Sequence, residues 1–249
     1  MKKVYLITGA GHFPGIGSCL AEYLLEHDHN VVINSRTFDS EWQEIQSQYS
    51  EQLRIVAGDI TDPAVQDHMI SNAIDSWGRI DVLVNNASST KNFPLSDREE
   101  WNKEFLLNVI VPYELSTRAS EYLRLSKGSI IMIGARVALQ ILRPSDAKNL
   151  AYSASKSAMH HLSTSLSVLL GPDIRVNTVA PALFPSARQQ VKYTQQQLVD
   201  LATRWHDDSL TGEIVSSQGL VDTVIFLANN PNITGQIILV CNGATVNRI

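Results

Sequence analysis

Cysteine is nearly missing from the 249 residues: Cys19 and Cys241 stand at opposite ends of the chain, which rules out a disulfide framework and fits a reducing compartment. No apolar run is long enough to cross a bilayer. The opening Met1-Lys2-Lys3 is like the basic start of a leader, but the apolar stretch after it is short and meets Gly9 and Gly11. There is no excess of positive charge; the formal net charge of −5 argues against nucleic acid as the main partner. His and Cys show no zinc-ligand spacing, so no metal site is expected. Internal repeats, low-complexity tracts and interdomain linkers are also missing. What remains is an ordinary globule, expected to be a cytoplasmic single domain over residues 1–249 that binds a small molecule, with no membrane or nucleic-acid partner.

What is present is alternation. Short apolar runs at 4–8, 31–34, 53–57, 81–84, 129–133, 174–179 and 236–241 read as buried parallel strands. Helical stretches at 18–25, 63–77, 96–107, 152–170 and 218–227 lie between them. The pattern predicts an α/β fold: a Rossmann-type, doubly wound parallel sheet of about seven strands with helices on both faces. Residues 183–215, polar and glutamine-rich, are expected to form a mobile cover over a cleft.

The first strand runs into Gly9-Ala10-Gly11-His12-Phe13-Pro14-Gly15-Ile16-Gly17 and then a helix. Strand, glycine turn and helix start together make a dinucleotide site, because glycines let backbone approach a pyrophosphate and the helix start offers it free N–H groups. The second strand ends at Ser35-Arg36-Thr37, with no acid until Asp39. An acid here would favour a ribose 2′-hydroxyl, whereas an arginine accommodates a 2′-phosphate. Arg36 therefore points to NADP(H) rather than NAD(H).

Tyr152 and Lys156 are four residues apart in a stretch free of Gly and Pro, so a helix puts them on one face. The ammonium favours phenolate and draws the phenol from its reference pKa of about 10 toward neutrality. Such a tyrosine can pass a proton to or from a substrate oxygen.

Thr8-Gly9, Gly15-Ile16-Gly17, Asp59, Asn85-Asn86-Ala87, Asn108, Tyr152-x-x-x-Lys156 and Arg175-Val176-Asn177 before Pro181 occur in an order that resembles the short-chain dehydrogenase/reductase family over the whole chain. The resemblance implies a nicotinamide cofactor and hydride transfer. It makes Tyr152 the general acid and Lys156 the partner that binds the nicotinamide ribose and tunes the phenol. It gives Asn108 a water in the proton relay. It also places the adenine beside Asp59 and Ile60, and lines the nicotinamide half with Asn86, Ala87, Pro181, Ala182 and Leu183. A homodimer or homotetramer is the usual family assembly.

Asn86-Ala87-Ser88-Ser89, residues 145–152 and Ala180-Pro181-Ala182-Leu183 are similar to pteridine reductases, in particular the dihydromonapterin reductase branch. Three departures stand against these matches. The glycine loop is about two residues longer than the family form and has Gly15 where pteridine reductases carry arginine. Ala135 occupies the place of the family's active-site serine and can neither donate nor accept a side-chain hydrogen bond. The interval from Ala135 to Tyr152 is about four residues longer than usual, so Ser145, Asp146 or Arg136 could take over the serine's role. The expected activity is NADPH-dependent reduction of a carbonyl or C=N bond; the alternative is a degenerate, non-catalytic NADP(H)-binding member of the family.

Overall fold

The computed structural model describes all residues except 1, 89–96, 141–148, 183, 185, 187–193 and 247–249. Seven parallel strands form one sheet in the order β3-β2-β1-β4-β5-β6-β7: β1 Val4–Thr8, β2 Asn30–Ser35, β3 Leu53–Ala57, β4 Val82–Asn85, β5 Ser129–Ile133, β6 Arg175–Pro181 and β7 Ile237–Val240. The direction of winding reverses between β1 and β4, the place where doubly wound sheets bind ligands at the strands' carboxyl ends.

Period-two alternation decides which face each strand residue serves. Tyr5 and Ile7 of β1 pack into one apolar cluster with Leu20 and Leu24 of α1 (Ile16–Glu26) and Leu220 and Val224 of α8 (Ser217–Asn229). Val4 and Leu6 join the opposite cluster. It is built from Met69 of α3 (Pro63–Trp77), Leu115 of α5 (Val111–Ser126) and Met159 and Leu166 of α6 (Leu150–Leu170). Both faces are thus covered, which is why the strands read as continuous apolar runs rather than alternating ones.

Local signals fix the ends. Asp62 caps α3, its Oδ1 accepting from Ala64 N–H at 2.9 Å with Pro63 in the first turn, and Gly78 ends the helix at φ 69°. Helices α2 (Glu41–Gln48) and α5 are additions to the pattern read from sequence. The stretch expected as one helix over 96–107 is α4 (Arg98–Phe105), followed by a π-helical turn at Leu106–Ile110. Pro112 lies in the first turn of α5 just beyond, where its missing N–H costs least. The region expected as a mobile cover over a cleft contains α7 (Gln195–Asp208), started by a capping box between Thr194 and Gln197.

Candidate active site

Helix α6 is laced to the end of β5. Lys156 is fully buried, and its Nζ donates to the Ile133 carbonyl at 2.8 Å. One turn later, His160 Nε2 accepts from Ala135 N–H at 3.3 Å. Ser153 and Ser157 donate to the carbonyls of Val137 (2.9 Å) and Ala138 (2.8 Å). The half-buried Tyr152 stands one turn before Lys156, with the ammonium 5.9 Å from its ring centre. The phenol and cation expected on one helix face are therefore together, at the sheet's carboxyl edge.

His160 was not anticipated, although its spacing of four from Lys156 and eight from Tyr152 puts it on the same face. Only a neutral ring with a bare Nε2 can accept from Ala135. Burial, and then the Lys156 charge, push its pKa down to about 4. A Cβ at Gly134 would collide with His160 Nε2, so this glycine is what admits the imidazole beneath the strand end.

Asn108 is buried in the π-turn. Its amide donates to Glu104 Oε2 (2.7 Å) and Ser155 Oγ (3.0 Å), and its Oδ1 accepts from Ser88 Oγ (2.9 Å). Both amide hydrogens are thus committed. Glu104, one turn before Asn108, is a buried carboxylate that the sequence reading missed.

The glycine loop meets the end of β4. Thr8 Oγ1 accepts from Asn86 N–H (3.0 Å) and Ala87 N–H (2.9 Å), while Asn86 Nδ2 donates to the carbonyls of Thr8 (2.7 Å) and Gly9 (3.0 Å). Gly9 has φ 69°, and a Cβ there would stand 2.7 Å from Ala87 Cα; a Cβ at Gly17 would stand 2.6 Å from Asn86 Nδ2. Helix α1 begins at Ile16 with no side-chain cap on Gly15 and no acid in its first turn. Ser18 Oγ turns back to the His12 carbonyl at 2.7 Å instead. The leading N–H groups are thus offered to an anion, and this donor set fits a dinucleotide pyrophosphate.

The other expected cofactor residues share this edge. Ser35 closes β2, and Arg36 and Thr37 follow it, both exposed. Asp59, after β3, accepts from Thr61 N–H at 3.0 Å, with Ile60 buried beside it. Pro181 ends β6 opposite Val240. Leu183 lies outside the described residues, as do Ser145 and Asp146. Arg136 is buried; its guanidinium donates to the Ala244 carbonyl at 3.3 Å and lines a small cavity with Ala182, Trp205, Asp208 and Glu213. Among the described residues, no group of His, Cys, Asp or Glu could hold a metal, and no helix is long and apolar enough to cross a membrane.

Residues 9–245 match a family model described as enoyl-(acyl carrier protein) reductase. The chain is 27% identical to a granaticin polyketide synthase ketoacyl reductase, described as putative, of Streptomyces violaceoruber, over 97% of this chain and 95% of that protein. Among solved structures, an apo SCOR enzyme from Clostridium thermocellum superposes with a TM-score of 0.81 at 28% identity, covering 100% of this chain and 95% of that one. ElxO with NADP bound gives 0.83 at 25% identity, covering 99% and 100%.

Proposed function

The chain belongs to the short-chain dehydrogenase/reductase family, and from that premise we propose that it is an NADP(H)-dependent oxidoreductase that reduces a carbonyl or C=N bond of a small molecule. The observation that carries the proposal is the buried Lys156 ammonium held one helical turn from Tyr152 at the sheet's carboxyl edge. A nicotinamide dinucleotide, when bound, supplies the hydride. The uncapped start of α1 would hold its pyrophosphate, Arg36 would pair with the 2′-phosphate, Asp59 and Ile60 would flank the adenine, and Asn86, Ala87 and Pro181 would line the nicotinamide half. The NADP-bound ElxO structure supports the choice of cofactor.

Tyr152 is the general acid in this reading. Its hydroxyl donates to the substrate oxygen or nitrogen, and the nearby ammonium steadies the phenolate left behind. The Lys156 bond to the Ile133 carbonyl fixes the distance between cation and ring. Asn108 would hold the water that returns the proton. Ala135 gives no side-chain hydrogen bond to the substrate, a loss of about 3 kcal/mol of barrier by comparison with one oxyanion donor. A pteridine ring tolerates that loss better than a simple ketone, because it can also be held by stacking and by the cofactor phosphate.

The test follows NADPH oxidation at its near-ultraviolet absorbance over pterins, quinones, 3-ketoacyl thioesters and ketosteroids. Turnover on one class supports the proposal and names the substrate. Tight NADPH binding with no turnover on any class favours the alternative that Ala135 motivates, a non-catalytic nucleotide-binding member of the family. The family's homodimer or homotetramer is proposed for the assembly, and sedimentation equilibrium tests it.

A further inference from the structure

The additional residues of the glycine loop include the exposed His12 and the half-buried Phe13 and Pro14. They fold onto the turn after β2, where a dinucleotide fold distinguishes a ribose 2′-hydroxyl from a 2′-phosphate. His12 Nδ1 lies 2.7 Å from Asp39 Oδ1 and its Nε2 lies 3.1 Å from Thr37 Oγ1. Phe13 N–H donates to the second carboxylate oxygen, Asp39 Oδ2, at 2.7 Å, and Asp39 N–H donates to the Gly11 carbonyl at 2.9 Å. Phe13 packs on Trp42 at 5.1 Å between ring centres, which anchors the loop to α2. A carboxylate only accepts, so Nδ1 carries a proton; Nε2 then accepts the Thr37 hydroxyl proton in a neutral ring or donates to it in a cationic one. Either way, both oxygens of Asp39 are turned to the glycine loop.

Asp39 is the first acid after β2, and a carboxylate there is what selects a free 2′-hydroxyl and repels a 2′-phosphate. From this geometry we infer that His12 is a positioning residue for cofactor choice: it holds the Asp39 carboxylate away from the ribose, so that Arg36 alone faces the 2′-substituent and the site accepts NADP(H). The inference rests on the dinucleotide reading proposed above and adds to it a residue outside the family markers. Desolvation pushes the Asp39 pKa upward, but the bonds from His12 and Phe13 N–H outweigh it and hold the carboxyl below its ordinary value, so the group being masked is an anion.

The experiment titrates the purified chain with NADPH and with NADH by nucleotide fluorescence, for wild type, His12→Ala, Asp39→Asn and the double variant. His12→Ala should weaken NADPH binding by about tenfold or more, the scale of one like-charge contact near the surface, while NADH binding stays within about twofold. Adding Asp39→Asn to it should restore the NADPH-to-NADH ratio. Equal weakening of both nucleotides, or a double variant that recovers nothing, overturns the inference and leaves the dinucleotide reading standing. A wild-type chain that binds neither nucleotide removes both. If His12→Ala does not fold, Asp39→Asn alone decides. A masked carboxylate predicts a ratio unchanged within about twofold, whereas a carboxylate that reads the ribose predicts NADH weakened by about tenfold.

Discussion

Lowering the pH toward 5 should destabilise the protein through one imidazole. His160 is 3% exposed, and its Nε2 lone pair is occupied by Ala135 N–H. Burial disfavours the charged ring and the Lys156 ammonium repels it, so its pKa falls from 6.5 to about 4. The unfolded chain therefore takes up a proton near its ordinary value, and the folded chain only near the depressed one. Stability is full above the unfolded pKa, falls as pH drops through the interval between the two, and levels off below about 4. At about 1.4 kcal/mol per unit, the loss is about 2 kcal/mol by pH ~5 and about 3 kcal/mol by pH ~4. Urea unfolding at several pH values measures it, with His160→Gln as the reference. Glutamine can still accept from Ala135 N–H but does not titrate. The wild-type curve should fall relative to the variant by about 2 kcal/mol between pH ~7 and pH ~5. Parallel curves would refute the reasoning, because the ring would then already be charged in the fold or free of the Ala135 bond.

Three other outcomes follow from the site. Tyr152→Phe should lower kcat by about 10²-fold or more while NADPH affinity, read by fluorescence, stays within about twofold. Ala135→Ser should raise kcat/KM by about tenfold if the missing donor is the weakness of the site, and steady-state kinetics on the best substrate of the panel will show it. Arg36→Glu should move the preference from NADPH toward NADH by about tenfold or more, read as the ratio of dissociation constants.

The fold was legible because a sheet buried on both faces writes each strand as an apolar run. All seven expected strands are present, most shifted by only a residue or two at their ends. Helix α2 escaped notice because it is short and buries only Trp42. Helix α5 was hidden by Pro112, which reads as a breaker but stands here in the first turn, where its missing N–H costs least. Residues set by backbone chemistry were equally clear in the site: the glycine turn, the small residues after β4, and the helical pair Tyr152 and Lys156. What stayed hidden depends on long-range contacts. Ser155 meets the Asn108 amide from another helix, and His12 finds Asp39 from another loop. No local spacing announces a bond of that kind.

The four bonds that lace α6 to the end of β5 and the segment after it involve Ser153, Lys156, Ser157 and His160. They make the turn that carries Tyr152, the proposed proton donor, and the strand edge beside it one rigid block. A rigid block leaves little freedom to accommodate a new substrate, so diversification must fall to parts not fastened to it. The chain can therefore exchange the molecule it accepts by rewriting loops around the rim, while Tyr152 and Lys156 stay where they are.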